Sequence, residues 1–293
     1  MKRYTRSRAS VLLCLCSLAV ALGVASPALA TPKGEFAIFS DCPLSNSEIT
    51  ACLLAKTESG EFVVGKKTVP ITNTITLQGG VIEDRETGGE TFVGAADGNT
   101  LSKAPQTVPG GLLGVVAPEF LPPFLQVILN EFIDKGVTGV TATTELAVPA
   151  SSIGINEKNL LQSTGVALTL PVKVHLENAF LGSSCYIGSD SQPLTLNLTT
   201  GTTSPPLPNK PIKGNRGTIE SNEEGTILTI ADNSLVDNAF AAPGASGCGG
   251  ILSFLVDPAV NATLGVPAQA GHNTAILGGT LKQAGAEVVR EHE

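Results

Sequence analysis

The chain has 293 residues, with 18 basic and 26 acidic side chains and a formal net charge of −8. An acidic surface repels nucleic-acid phosphates and anionic lipid headgroups, and the scattered lysines and arginines form no basic patch, so nucleic-acid binding is not expected. The chain has no tryptophan and only two tyrosines, which disfavours a carbohydrate-binding module that stacks sugars on exposed aromatic rings.

The first 30 residues have the layout of a secretory signal peptide. Four basic residues precede an apolar run over residues 11–24, and small residues close the segment at Ala28 and Ala30. We expect cleavage after Ala30, which leaves residues 31–293 with 14 basic and 26 acidic side chains, a net charge of −12. The apolar run is too short to span a bilayer and does not recur, so we expect a secreted or envelope-associated protein without a transmembrane segment.

Four cysteines remain after residue 30. In an oxidising compartment paired thiols are the default, and four cysteines allow three pairings. We favour the pairs Cys42–Cys52 and Cys185–Cys248, because each joins segments that lie in the same part of the chain and are bounded by turn residues. The sequence lacks the close Cys and His pairs of zinc sites, so we expect neither a metal nor a cofactor.

Period-2 alternation of apolar and polar residues predicts a series of β-strands. The longest covers residues 166–177, and Pro171 falls on its outward face. Because proline cannot donate a ladder hydrogen bond, we expect this strand at a sheet edge or with a bulge at Pro171. The other predicted strands cover residues 67–77, 137–148, 193–199, 225–230 and 274–281.

One segment has helical spacing instead. Over residues 123–135 the apolar side chains recur every three or four positions, with prolines at the start and Gly136 at the end. It is the only helix that the sequence predicts. We expect this amphipathic helix to plug one end or cover one face of the sheets; the alternative is a lid or tunnel wall for an apolar ligand.

Short strands, turn-rich connections and one helix favour a mainly β fold. We expect an antiparallel β-sandwich or barrel with the helix inserted at about residues 123–135. Residues 31–293 form one secreted β-rich domain in this interpretation. The alternative is two lobes divided near residues 110–136, each with one of the favoured disulfides.

The sequence contains none of the common catalytic motifs of serine hydrolases, zinc proteases or phosphate-binding loops. His175 is expected on a solvated strand face, and Cys248 is better explained by a disulfide than as a nucleophile. His272 with a carboxylate such as Asp257 is the remaining candidate for catalysis. We therefore assign no catalytic residue and expect a binding protein rather than an enzyme.

Four stretches resemble a group of secreted actinobacterial proteins. They are FSDCPL at 39–44, LGSSCYIG at 181–188, LTTG at 198–201, and residues 235–249 with LVDN and GCG at their ends. The group has no assigned activity, so the resemblance implies export and cell-envelope residence and carries over no catalytic residue.

These observations lead to two functional expectations and a third that ranks below them. The first is a non-enzymatic secreted or envelope protein that acts by surface interaction with an unknown partner. The alternative is a carrier of a lipid or other apolar small molecule in a cavity under the 110–136 segment. A hydrolase ranks third. The residues expected to contact an apolar ligand are Phe120, Phe124, Leu125, Ile128 and Phe132.

Overall fold

The structure is a computed structural model that describes residues 31–84, 86–112, 122–124, 126–127 and 139–293. Within these ranges the chain forms two antiparallel sheets of seven strands each, and neither sheet closes into a barrel. A single buried apolar cluster contains residues from both sheets. The predicted mainly β fold is therefore confirmed, and its architecture is a sandwich.

The first sheet combines strands from both ends of the chain. Two long neighbouring strands, β1 and β14, form its centre, and every strand pair is antiparallel. The short β2 pairs with the far end of β1. Its strands, in spatial order, are β11 (Thr218–Ser221), β12 (Ile227–Asp237), β14 (Thr274–Gly285), β1 (Ala51–Val64), β3 (Ile75–Glu83) and β4 (Glu90–Gly94), with β2 (Lys67–Pro70) beside β1.

The second sheet is built around β8, which pairs with four other strands. Its path is β13 (Ala245–Ser246), β9 (Tyr186–Ile187), β8 (Leu168–Glu177), β6 (Thr141–Leu146) and β5 (Gln106–Thr107). Two further strands, β7 (Gly154–Ile155) and β10 (Leu194–Leu198), also pair with β8.

Three α-helices have described bounds: α1 (Glu157–Gln162), α2 (Ser253–Leu264) and α3 (Ala286–Glu291). Short 3₁₀ helices cover Gly34–Phe39, Ala150–Ser152 and Gly250–Leu252. In the helix predicted at 123–135, residues 123, 124, 126 and 127 are helical, and the rest lies outside the described residues. The prediction of a single helix is wrong, because the 12-residue α2 was missed.

The main core lies between the sheets and follows the alternation of the strands. In β10, Leu194, Leu196 and Leu198 are buried whereas Thr195 and Asn197 are exposed. Side chains at alternate positions of a strand point to opposite faces of the sheet, so one face of β10 packs against the opposite sheet. This strand agrees with its prediction at 193–199.

The expectation that Pro171 places its strand at a sheet edge is wrong, since β8 is the central strand. The Pro171 carbonyl accepts a hydrogen bond from the Ala147 backbone N–H at 3.2 Å. The proline nitrogen faces the same side, where β7 pairs only with Leu168 and Thr169 and β6 only from Val172 onward. The N–H that Pro171 lacks would therefore point into the gap between β7 and β6, where no strand pairs with β8. Its absence removes no hydrogen bond from the sheet.

One other predicted strand is divided in the structure, and one observed strand was not predicted. The predicted strand at 67–77 is divided into β2 and β3 by residues 71–74, where the Ile71 backbone N–H bonds instead to the Gly60 carbonyl at 2.9 Å. The 14-residue β1 was missed altogether. Its last five residues, 60–64, which include the part paired with β2, are all half-buried and show no alternation.

Both favoured disulfides, Cys42–Cys52 and Cys185–Cys248, are present. The first joins β1 to the loop after the 3₁₀ helix Gly34–Phe39, beside a second buried cluster on the outer face of the first sheet that includes Phe36 and Val289. The second joins the start of β9 to the loop before α2. Paired cysteines are typical of an oxidising environment.

The compact body of the protein extends over Thr31–Glu293. Strands that precede and follow the 110–136 segment in sequence share the first sheet. Among the described residues, no helix is both long enough and apolar enough to cross a membrane.

Removal of each disulfide should destabilise the fold, and the two losses of stability should differ in size. The pairs close loops with sequence separations of 10 and 63 residues, so loop entropy predicts losses of about 3 and about 4 kcal/mol respectively. We expect urea unfolding of Cys42→Ala/Cys52→Ala and Cys185→Ala/Cys248→Ala to show this order. A larger loss from the first pair would contradict the loop-entropy explanation.

Candidate functional site

The space between the sheets contains an apolar cavity of about 50 Å³, lined at one end by residues on both sides of the 113–138 segment in sequence. Leu112 and Val140, which flank those residues, both line it and are almost completely buried. Among its polar lining side chains, Gln106 has its amide oxygen and nitrogen fully engaged by backbone groups of Thr72, Asn73 and Ala104. The buried surface therefore offers a ligand mainly apolar contacts.

A second apolar cavity of about 80 Å³ lies between the sheets on the side of α1. Phe62 and Thr144 line both cavities and so stand between them. Phe62 belongs to the hairpin half of β1 and is only half-buried, so its ring is less constrained than a core side chain. The remaining lining residues of the second cavity include Leu53, Leu77, Leu101, Leu170, Leu235 and Leu277.

The size of the two cavities limits what they hold in this conformation. An apolar cavity of about 150 Å³ admits benzene, and each of these is smaller. A molecule of the size of benzene therefore fits neither cavity unless lining side chains move, and Phe62 and Thr144 are the ones that line both.

Helix α2 forms part of the wall of the first cavity through Leu264. Two polar side chains of the helix fix it to the loop around β13. The Asp257 carboxylate accepts hydrogen bonds from the backbone N–H groups of Cys248 at 2.8 Å and Gly247 at 3.2 Å. One turn later, the Asn261 amide accepts from the Ala245 N–H at 2.6 Å and donates to its carbonyl at 3.0 Å. Together with the Cys185–Cys248 disulfide, these bonds hold the helix in place.

The second cavity has a polar end near α1. A small space of about 30 Å³ shares Leu53, Ile155 and Leu160 with it and is also lined by Glu157 and Gln283. The Glu157 carboxylate accepts a hydrogen bond from the Gln283 amide, and the Glu157 backbone N–H donates to the Glu90 carboxylate at 3.0 Å.

The pKa values of both carboxyl groups at this polar end, Glu157 and Glu90, are raised. Burial raises the pKa of Glu157, the neighbouring Glu90 carboxylate raises it further, and the Gln283 hydrogen bond partly opposes these effects. Burial also raises the pKa of Glu90, against the hydrogen bond from the Glu157 N–H. Among the described residues, no cation forms an ion pair with either group. Each of the two carboxyl groups therefore binds a proton more readily than an exposed glutamate does.

The ligand-contact residues predicted from the sequence fall mainly outside the described ranges. This applies to Phe120, Leu125, Ile128 and Phe132. Phe124 is described, is 64% exposed and lines neither cavity. Some of the cavity residues, such as Leu77, Val172 and Leu196, lie in strands whose alternation identified them as inward-facing. The lining residues of β1 and α2, such as Phe62 and Leu264, were not predicted. No sequence signal showed that space would remain between the sheets.

The residues considered as catalytic candidates for hydrolysis do not contact one another. His272 is exposed, Asp257 is engaged by the loop before α2, and within the described chain no hydrogen bond or ion pair joins the two. Cys248 is in its disulfide. The expectation that His175 is solvated is wrong: it is 8% exposed and stacks on Tyr186 with ring centroids 4.4 Å apart.

His175 lies between two carboxylates on the outer face of the second sheet. Its Nδ1 is 3.7 Å from Oε1 of both Glu145 and Glu177, and among the described residues its buried Nε2 has no hydrogen-bond partner. Across the described ranges, no group of three or more His, Cys, Asp or Glu side chains is arranged to hold a metal ion.

Comparison of the chain with protein families, with curated proteins and with solved structures finds no match.

The raised pKa of Glu157 predicts a pH-dependent stability. Its pKa lies above the usual value of 4.5, so the folded protein retains this proton to higher pH than the unfolded chain. The resulting stabilisation is complete below about pH 4.5 and is lost as the pH rises through the raised pKa. We expect Glu157→Gln, which keeps the hydrogen-bond acceptor, to be more stable than the wild type at pH 7.

Urea unfolding near pH 4 and at pH 7 checks this expectation, since the difference between variant and wild type should shrink at the lower pH. Glu58→Gln, at an exposed position of β1, is the matched control. A Glu157→Gln variant that is less stable than the wild type at pH 7 would contradict the assignment.

Proposed function

We propose that this protein is a secreted or envelope-associated binding protein that takes up a small apolar molecule between its two sheets. The supporting observation is the pair of neighbouring apolar cavities that are both lined by Phe62. Well-packed cores leave few voids, and apolar voids that remain dry are available to apolar ligands. The amide side chains of Gln106 and Asn233 at these cavities bond to backbone groups of the protein and the other lining residues are mainly apolar, so recognition depends on shape and apolar contact.

Uptake requires two movements in this proposal. The Phe62 ring rotates to join the cavities, and the wall near Leu112, Val140 and Leu264 opens to admit the ligand. The disulfide and the hydrogen bonds of Asp257 restrain α2 during this opening, so the sandwich itself keeps its shape. Export is part of the proposal and is supported by the two disulfides and by the signal-peptide pattern.

Surface interaction, the other function expected from the sequence, requires an exposed patch rather than interior space. Helix α2 supplies such a patch, because Ile251 just before it and Phe254 in its first turn are 94% and 68% exposed. The two functions are compatible, since α2 contacts both solvent and the first cavity.

Cavity-filling substitutions test the proposed site. Ala142 and Ala167 line the first and second cavities and are 8% and 2% exposed. We expect Ala142→Val/Ala167→Val to raise the free energy of unfolding by about 0.5–2 kcal/mol, the usual gain from filling a void. The same variant should abolish the methyl NMR shifts that benzene causes in residues lining the cavities of the wild type.

Two further variants complete the experiment. Phe62→Ala joins the cavities and should bind benzene more tightly than the wild type does. Ala241→Val, at an exposed position, should leave both stability and benzene shifts unchanged. Benzene shifts that persist in the filled variant, or that are absent from both wild type and Phe62→Ala, would refute the site.

A further inference from the structure

Helix α2 is apolar on its outer side as well as on its inner side. Its inner side packs into the core through Leu255, Val256, Ala259, Val260 and Leu264, all buried. The outer side carries a row of exposed residues at helical spacing, which we call the outer stripe: Ile251, Phe254, Pro258 and Ala262. A row of exposed apolar residues on a helix is typical of an interaction surface, and among the described residues none covers the outer stripe.

The exposure of the outer stripe is not a consequence of a loose helix end. The Gly249 N–H donates to the Leu181 carbonyl at 2.8 Å, directly after the disulfide-bonded Cys248. Asp257 and Asn261 direct their side chains toward the β13 loop, away from the outer stripe. The molecule therefore holds a rigid apolar surface toward solvent.

The chain segments beside the outer stripe carry few charges, although the chain as a whole is acidic; the charged side chains near it are Asp257, which faces the β13 loop, and Lys66 at the Ala262 end. No Asp, Glu, Lys or Arg occurs in residues 178–189 or 238–256, the two segments joined by the Cys185–Cys248 disulfide. The only ionisable side chains from 249 to 281 are Asp257 and His272. Residues 31–293 as a whole have a net charge of −12, and Asp257 is the only acidic side chain in these segments, so this end differs electrically from the rest of the protein.

We propose that the outer stripe docks on an electrically neutral lipid surface. Protein interfaces combine apolar contacts with hydrogen bonds at a density of about one per 100–200 Å², and the side chains of the outer stripe supply none. A lipid surface requires only apolar side chains inserted at the level of the headgroups. Anionic lipid would repel the acidic body of the protein, which selects a zwitterionic or uncharged surface.

Two features set the depth of docking. Pro258 has no N–H, so the Phe254 carbonyl lacks its usual helical donor and needs water or a headgroup partner. At the other end of the outer stripe, the Lys66 ammonium lies 3.3 Å from the Ala262 carbonyl, where a lysine can extend to lipid phosphates. Both features place the helix at the headgroup boundary and not in the hydrocarbon interior. This docking rests on the surface of α2 and not on the cavities.

Co-sedimentation with phosphatidylcholine vesicles tests the proposal. We expect the wild-type protein to sediment with these vesicles and Ile251→Ser/Phe254→Ser to bind at least about tenfold more weakly, given the loss of two apolar anchors. Leu207→Ser is the matched control, because Leu207 is 87% exposed in another loop. Adding phosphatidylglycerol to the vesicles should weaken wild-type binding.

A fluorescence measurement avoids reliance on the serine variants. The chain contains no tryptophan, so Phe254→Trp and Leu207→Trp each introduce a single reporter. Phosphatidylcholine vesicles should shift the Phe254→Trp emission to shorter wavelength and leave Leu207→Trp unchanged. Failure of the wild type to sediment, equal binding by the double serine variant, or no emission shift at position 254 would overturn the proposal and leave a protein partner as the explanation of the outer stripe.

Discussion

The packing of two alternating sheets against one another is the constraint on which the rest of the structure depends. Each sheet buries the side chains of one face, and burial of this apolar area is the main favourable term in folding. β8 and β14 organise the two sheets because each pairs along much of its length with strands on both sides. The cavities are the places where the inward side chains of the two sheets do not meet, so they are a property of this packing and not of any one loop.

The close approach within the first sheet shows how specific this packing is. β1 carries a bulge between the residues that pair with Gly278 and Gly279 of β14, and the register of β12 shifts one residue further along, opposite Thr280. A side chain at Gly279 would place its Cβ 1.8 Å from the Lys56 carbonyl oxygen, which no rearrangement of side chains could relieve. The bulges let long strands twist around the core while the inward positions keep their register.

Much of the fold was predictable because alternation reports directly on burial. The pattern at β10 gave the correct inward face, and the spacing of the cysteines gave both disulfides. Pro171 misled the prediction because the sequence does not reveal where one partner strand ends and the next begins. Helix α2 was not predicted because its exposed side is apolar and its polar residues Asp257 and Asn261 bond to the β13 loop, so the sequence lacks the alternation of an apolar buried face and a polar exposed face.

The candidate site was predictable only in part. Strand residues such as Val172 and Leu196 were recognised as inward-facing, and they line the first cavity. Whether opposed side chains fill the space between two sheets depends on strand order and register, which a single sequence does not give. The sequence feature that could have pointed to the outer stripe is the segment 238–256, which contains no Asp, Glu, Lys or Arg.

The central claim is that the space between the sheets takes up an apolar molecule, with α2 standing between that space and the surface. Native mass spectrometry of residues 31–293, purified from the organism that makes the protein, tests it most directly. The account predicts a mass above that of the disulfide-bonded chain, with the excess lost on denaturation. A native mass equal to that of the chain alone, unchanged after incubation with lipid extract from the same organism, would contradict it.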